Sequence, residues 1–219
     1  MNYTALSNAI QAYTENTEAD FVANIPVFVT QAEQRIFNSI QFPSLRQNVT
    51  GATTTNNKYL QCPTDFLAVY SLAIINASGE YEYLLNKDVN FIRQAYPQPT
   101  DTGIPRYYAL FGPRSDNAAE LTFILGPTPD AAYGAELHYF FYPPSITVSP
   151  YTSWLGDNFD PVLLYGSLVE AYTYMKGEAD MMQLYNGKFM EALALAKRLG
   201  DGMERQDAYR SGQYRQAVT

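Results

Sequence analysis

The sequence predicts an α+β protein: a helical bundle built from both chain ends, an inserted antiparallel β-sandwich or small barrel, and an extended C-terminal arm. Three observations predict it. Apolar residues recur at helical spacing before residue 43 and again after residue 150. Between these regions run short alternating segments separated by Gly, Pro, Asn and Asp clusters, the punctuation of an all-β region rather than of repeated β-α-β units. Beyond residue 200 the apolar periodicity stops. The expected division is therefore 1–43 with 151–200 as a discontinuous bundle, 44–150 as the β domain and 201–219 as the arm.

The first element is a short amphipathic helix over 3–14, carried by Leu6, Ile10 and Tyr13. In "TEADFVANIPVFVTQAEQRIFNSI" a stronger stripe follows: Phe21, Ile25, Phe28, Ala32, Ile36 and Ile40. Pro26 predicts a break, with one helix ending near Asn24 and a second starting with the proline in its first turn. Glu33 and Arg35 fall off the stripe and are expected in solvent.

"TTTNNKYL" reads as a hairpin turning at Asn56-Asn57. "DFLAVYSLAII", "GEYEYLLNK", "IPRYYALF", "ELTFILGP" and "AELHYFFYPP" read as strands, and "FGPRSDNAAE" and "LGPTPD" as turns. One helix interrupts them, capped by Asp88 and ended by Pro97. After residue 150, Asp160 is the expected N-cap of a helix with Pro161 in its first turn and a stripe of Leu164, Leu168, Ala171 and Met175. Gly177 ends it. A last helix near 179–199 buries Met182, Tyr185, Phe189, Leu193 and Ala196, with Gly200 as its stop. These terminal helices are expected to share one core.

Chemistry is sparse. The single histidine, His138, alternates along a strand with Glu136 and Phe140 on its face and is read as a structural rung of a hairpin. The single cysteine, Cys62, excludes an intramolecular disulfide framework and any Cys-based zinc site, and is read as a small strand-end hydrophobe. "YGSLVE" around Ser167 lacks the second glycine of a nucleophile elbow. No glycine cluster matches a phosphate or dinucleotide loop. Asp65, Asp88, Asp101 and Asp157 have no spacing that suggests a paired-carboxylate site. No catalytic residue, metal ligand or cofactor is predicted, and the chain is not read as an enzyme.

A net charge of −8 argues against a surface built to grip nucleic acid. The longest apolar run, 66–75, is about half the ~20 residues a membrane helix needs, and no signal peptide is visible, so the expectation is a soluble chain made in a cytoplasm. The segment 201–219 is polar, with Arg205, Tyr209, Arg210, Tyr214 and Arg215 in it. Tyr and Arg are the types enriched at binding hot spots, so it reads as an arm awaiting a partner.

Several segments in the same order, "TEADFVANIPVFVTQAEQRIFNSIQFPSLR", "YLLNKDVNFIRQAYP", "TGIPRYYALF", "FILGPTPDAAYGAELHYFFYPP" and "SWLGDNFDPVLLYGSLVEAYTYMKGEADMMQLY", resemble the head-to-tail adaptor (head-completion, connector) proteins of tailed bacteriophages, especially short-tailed ones. The resemblance implies a structural virion protein at the head-to-tail interface. It implies a homo-oligomeric ring, a dodecamer, beneath the portal protein, which extends the DNA channel and presents a platform for tail tube, nozzle or fibre proteins. Genomic DNA would pass without sequence-specific binding, and Arg205, Tyr209, Arg210, Tyr214 and Arg215 would belong to a portal-binding arm. The alternative is a soluble carbohydrate- or protein-binding β module associated with a tail fibre, in which exposed aromatics of "YEYLL" and "PRYYALF" stack on ligands.

Overall fold

The computed structural model describes residues 1–40, 42–112 and 121–210, with positions 43 and 201–210 described by their backbone only. The chain forms two compact units. One combines Met1–Leu45 with Tyr142–Thr219; the other is Arg46–Phe141.

The first unit is helical. Helix α1 (Tyr3–Thr14) is capped by Asn2, whose side chain accepts the Ala5 N–H at 2.9 Å, and it buries Leu6 and Ile10. Helix α2 (Ala19–Ser39) is continuous, so the expected break at Pro26 is absent. A proline inside a helix costs about 3 kcal/mol through one lost hydrogen bond and a clash. Phe21 and Ile25 on one side, and Phe28, Val29, Ala32 and Ile36 on the other, are all buried. Each large apolar side chain contributes about 1.5–3 kcal/mol, so the stripe outweighs the proline. Glu33 is also buried, at 2% exposure, contrary to the expectation of a solvated position. Arg35 remains partly in solvent, with its guanidinium over the Phe189 ring and 3.8 Å from Glu170.

The second unit comes between these helices in sequence and contains helix α3 (Val89–Ala95); the chain then returns to the first unit. There a short helix α4 (Trp154–Asn158), absent from the sequence reading, is capped by Ser153, whose hydroxyl accepts the Gly156 N–H. Helix α5 (Asp160–Met175) follows, with Phe159 in the cap position and Asp160 already in the first turn. It packs against α1, α2, α4 and α6, the last spanning Ala179–Arg210. Because it is surrounded, it buries Val162, Leu163, Leu168, Val169 and Ala171 rather than one stripe, while Leu164 and Met175 are only half-buried. In α6, Tyr185, Phe189 and Ala196 are buried as expected, but Met182 and Leu193 are half-buried.

Gly200 does not stop α6, which runs on to Arg210. An interior glycine costs only about 1 kcal/mol, and the following Met203, Glu204, Arg205 and Gln206 are good helix formers. The first half of the expected arm, 201–210, is therefore helical.

The second unit is a sandwich of two four-stranded sheets. Its strands are β1 (Arg46–Ala52), β2 (Tyr59–Gln61), β3 (Phe66–Ile75), β4 (Tyr81–Tyr83), β5 (Leu85–Asn86), β6 (Tyr107–Phe111), β7 (Thr122–Gly126) and β8 (Gly134–Phe141). One sheet is ordered β1-β8-β3-β4 and the other β2-β7-β6-β5. Phe66, Leu72, Ile74, Leu137 and Tyr139 from the first meet Tyr108, Phe123 and Leu125 from the second in one core.

Three expectations change here. The turn at Thr55-Asn56 exists, with Asn56 left-handed at φ 59°, but β1 pairs with β8 and β2 with β7, so no hairpin forms. The chain instead crosses from one sheet to the other. "GEYEYLLNK" likewise splits, β4 joining the first sheet and β5 the second, with Leu84 buried at the crossing. Finally, β5 and β6 are parallel, and helix α3 supplies the crossover that a parallel neighbour requires. Helix α3 has Asp88 as its cap (Oδ1 accepting the Asn90 N–H at 2.7 Å), and Ile92 packs on Ala109 and Ile124. A side chain at Gly126 would start 2.8 Å from Ile92, so the glycine lets the helix lie close to the sheet. The expected turn around 113–120 lies outside the described residues.

Candidate interaction surfaces

His138 lies on the outer face of the first sheet. Its Nε2 is 2.9 Å from Glu136 Oε1, and the Tyr81 hydroxyl donates to the same carboxylate. That bond raises the Tyr81 pKa first, followed by the Glu136 charge. Beside them Tyr70 meets the Phe140 ring edge-on at 6.0 Å. Tyr70, Tyr81 and Tyr83 are exposed, Tyr83 by 71%. Period two groups Glu136, His138 and Phe140 with Tyr81 and Tyr83 of β4, while Tyr70 comes at a register shift between Val69 and Ser71 of β3. The result is an exposed aromatic surface that holds a carboxylate–imidazole pair and the Arg46 guanidinium over the Tyr70 and Phe140 rings. An exposed aromatic sheet face suits contact with another surface better than the enclosure of a small substrate.

The other chemically competent groups have local tasks. Asp65 accepts the Tyr139 hydroxyl at 3.0 Å, Asp88 caps α3, Asp101 accepts the Gln98 N–H, and Asp157 faces the N-terminal ammonium at 3.7 Å. Ser167 is buried and donates to the Leu163 carbonyl inside α5. Cys62 is buried, and desolvation pushes its thiol up to about 12, where the reactive thiolate is scarce. It lines a largely apolar cleft of 330 Å³ between the sheets, together with Val49, Leu60, Leu72, Phe123 and Leu137. Among the described residues no three His, Cys, Asp or Glu side chains cluster as a metal site would. Among them, too, no helix is long and apolar enough to cross a membrane.

Glu33, expected in solvent, is the one deeply buried acid among the described residues. Its Oε1 accepts the Ile146 N–H at 3.0 Å and a second bond comes from Ser145. Burial raises its pKa, while these two bonds pull it down by less. Its geometry is that of a fastener: it holds the segment entering α4 against α2.

Of the expected arm residues, Arg205, Tyr209 and Arg210 stand on the helical backbone of α6, with side chains outside the description. Tyr214 and Arg215 lie outside the described residues.

Among the described residues no active-site geometry stands out, but a comparison along nearly the whole chain is informative. Residues 1–216 match the family described as SU10 adaptor protein. The chain belongs to this family. It is accordingly a structural adaptor protein of bacteriophage, with its place in the virion at the head–tail junction. No curated protein sequence matches it. The match spans both units of the SU10-type adaptor and all of α6.

Proposed function

We propose that this adaptor assembles as a ring, a dodecamer, that docks beneath the portal, extends the DNA channel and carries the tail or nozzle proteins. The observation that carries the reading is the family match over 1–216, with no competing catalytic arrangement among the described residues. The outer face of the first sheet supports a platform role, since exposed tyrosines bury large area at low entropic cost when a partner arrives. A net charge of −8 supports passage of DNA without retention, because phosphates find few lasting ion pairs on an acidic wall. The arm, with Arg205, Tyr209, Arg210, Tyr214 and Arg215, is proposed to grip the portal through aromatic burial and forked Arg–carboxylate bonds. It begins as a continuation of α6 rather than as a free strand. The domain division proposed is a helical docking body, an inserted β platform and this arm.

The exposed tyrosine face also suits sugar stacking, which keeps a fibre-associated carbohydrate- or protein-binding β module as a second reading. Complementation separates the two. DNA-filled heads made without this protein are expected to leak DNA and refuse tails until purified protein is added. Heads that retain DNA and accept tails without it would overturn the adaptor reading.

A further inference from the structure

Helix α6 carries a second apolar face. Tyr185, Phe189 and Ala196 point into the helical core, yet Leu184 (49% exposed), Leu195 (60%), Leu199 and Met190 stand in solvent. Leu184, Leu195 and Leu199 fall within about 60° of one another around the helix, whereas Met190 stands about 120° from Leu184; exposed leucines gathered on one face mark a contact surface. Within this face Leu184, Lys188, Glu191 and Leu195 follow one another at steps of four, three and four, the spacing that keeps side chains on one side of a helix. Gly187 lies beside them in a shallow hollow shared with Asp180, Lys188 and Glu191, and nothing stands within 4 Å of where its side chain would begin. An exposed glycine in a helix interior costs about 1 kcal/mol against alanine, and it clears room for another backbone.

The order Leu, Lys, Glu, Leu reads as its own complement when reversed. Set against a second copy running antiparallel, Leu184 meets the other copy's Leu195, and Lys188 meets its Glu191. Both contacts then occur twice, as a two-fold axis requires. No other pairing of this face with itself gives the same match: a parallel pair at zero stagger would set Lys188 against Lys188 and Glu191 against Glu191. The Lys188 ammonium now lies 6.0 Å from the Tyr165 ring, at the edge of the stripe, within reach of such a partner after rotamer change.

We propose that the free protein self-associates through the outer face of α6, as an antiparallel two-fold pair centred between Lys188 and Glu191. This inference does not rest on the adaptor reading. A two-fold pair cannot belong to a closed ring of identically oriented copies. The contact is a state of the free protein that covers Leu184 and Leu195, and a ring of the kind proposed above would have to release it.

The test is sedimentation of the full chain over a concentration series. Wild type is expected to dimerise, and added salt to weaken it. Lys188→Glu places like charges at both symmetric contacts and is expected to weaken the dimer about tenfold, while K188E/E191K restores it. Helical content by circular dichroism should not change, since these side chains are exposed. Register is checked by cysteines, because the only native one is buried. Leu184→Cys with Leu195→Cys is expected to give disulfide-linked dimers on oxidation, and either substitution alone is not. A monomer at every concentration, or a dimer indifferent to K188E, overturns the proposal, as does cross-linking by the single cysteines. None of these outcomes bears on whether the protein binds a portal.

Discussion

The carboxylate of Glu33, inside the helical unit, accepts the backbone N–H of Ile146, a residue 113 positions later in the chain. Ile146 is itself completely buried. One side chain of α2 thus fixes the segment by which the chain re-enters the helices after the sandwich. Tyr142 adds a second tie, its hydroxyl donating to Asn38 and its ring stacking near Phe37.

Replacing Glu33 separates the charge from the hydrogen bond. Glu33→Ala leaves the Ile146 N–H buried without an acceptor and is expected to cost about 2–3 kcal/mol, read from urea unfolding. Glu33→Gln keeps an acceptor oxygen and is expected to cost less. The pH dependence has a definite sign. Desolvation raises the folded pKa above that of the unfolded chain, so the folded state holds the proton more tightly. That contribution is full below the ordinary carboxylate range and is lost as pH rises through the raised value. Wild type should therefore gain stability relative to E33Q as pH falls from neutrality toward the ordinary Glu range. A difference between the two that stays flat with pH would contradict this.

Phe189 tests the shared helical core. It is fully buried, and a side chain at Gly166 of α5 would come within 3.0 Å of its ring. Phe189→Ala is expected to destabilise by about 3–5 kcal/mol in chemical denaturation, and a loss under 1 kcal/mol, on the order of a surface change, would deny the packing.

His138 should prove dispensable. Its pair with Glu136 sits on an exposed sheet face, with 44% of the imidazole in solvent, where such pairs contribute about 1 kcal/mol or less. His138→Ala is expected to fold, assemble and support infection almost normally. Normal folding and assembly combined with non-infectious particles would reopen the case for a chemical role.

These positions show what the sequence conveyed and what it could not. Caps and turns were legible because they are local: Asp88 caps α3, and Asn56 adopts the left-handed turn conformation. Pairing was not, because nothing near Asn56 says that β1 and β2 will enter different sheets. Pro26 and Gly200 carry local signals to stop a helix, and in both cases a helix continues; at Pro26 the buried stripe decides. Glu33 was misplaced for a related reason. It lies beside the stripe, and only the distant Ser145-Ile146 segment covers it. Period two placed Glu136 and Phe140 beside His138, but Tyr70, Tyr81 and Tyr83 join them through long-range pairing and a register shift, and the outer face of α6 was hidden behind the stronger stripe of Tyr185 and Phe189.

DNA should bind the isolated protein weakly. With a net charge of −8 few phosphates can be neutralised at once, and residual binding is expected to fade steeply with added salt in a filter or anisotropy assay. Tight, salt-resistant binding of duplex DNA would be at odds with a passive channel wall.

The most direct test of the adaptor account is sedimentation of purified portal rings titrated with this protein, full-length and ended at Gly200. The full chain is expected to add saturably and to give a symmetric second ring by electron microscopy. The shortened chain, still folded by circular dichroism, is expected not to join. Unchanged binding by the shortened chain would move the anchor from the arm to the helical body. A portal whose sedimentation the full-length protein leaves unaltered would contradict the account itself.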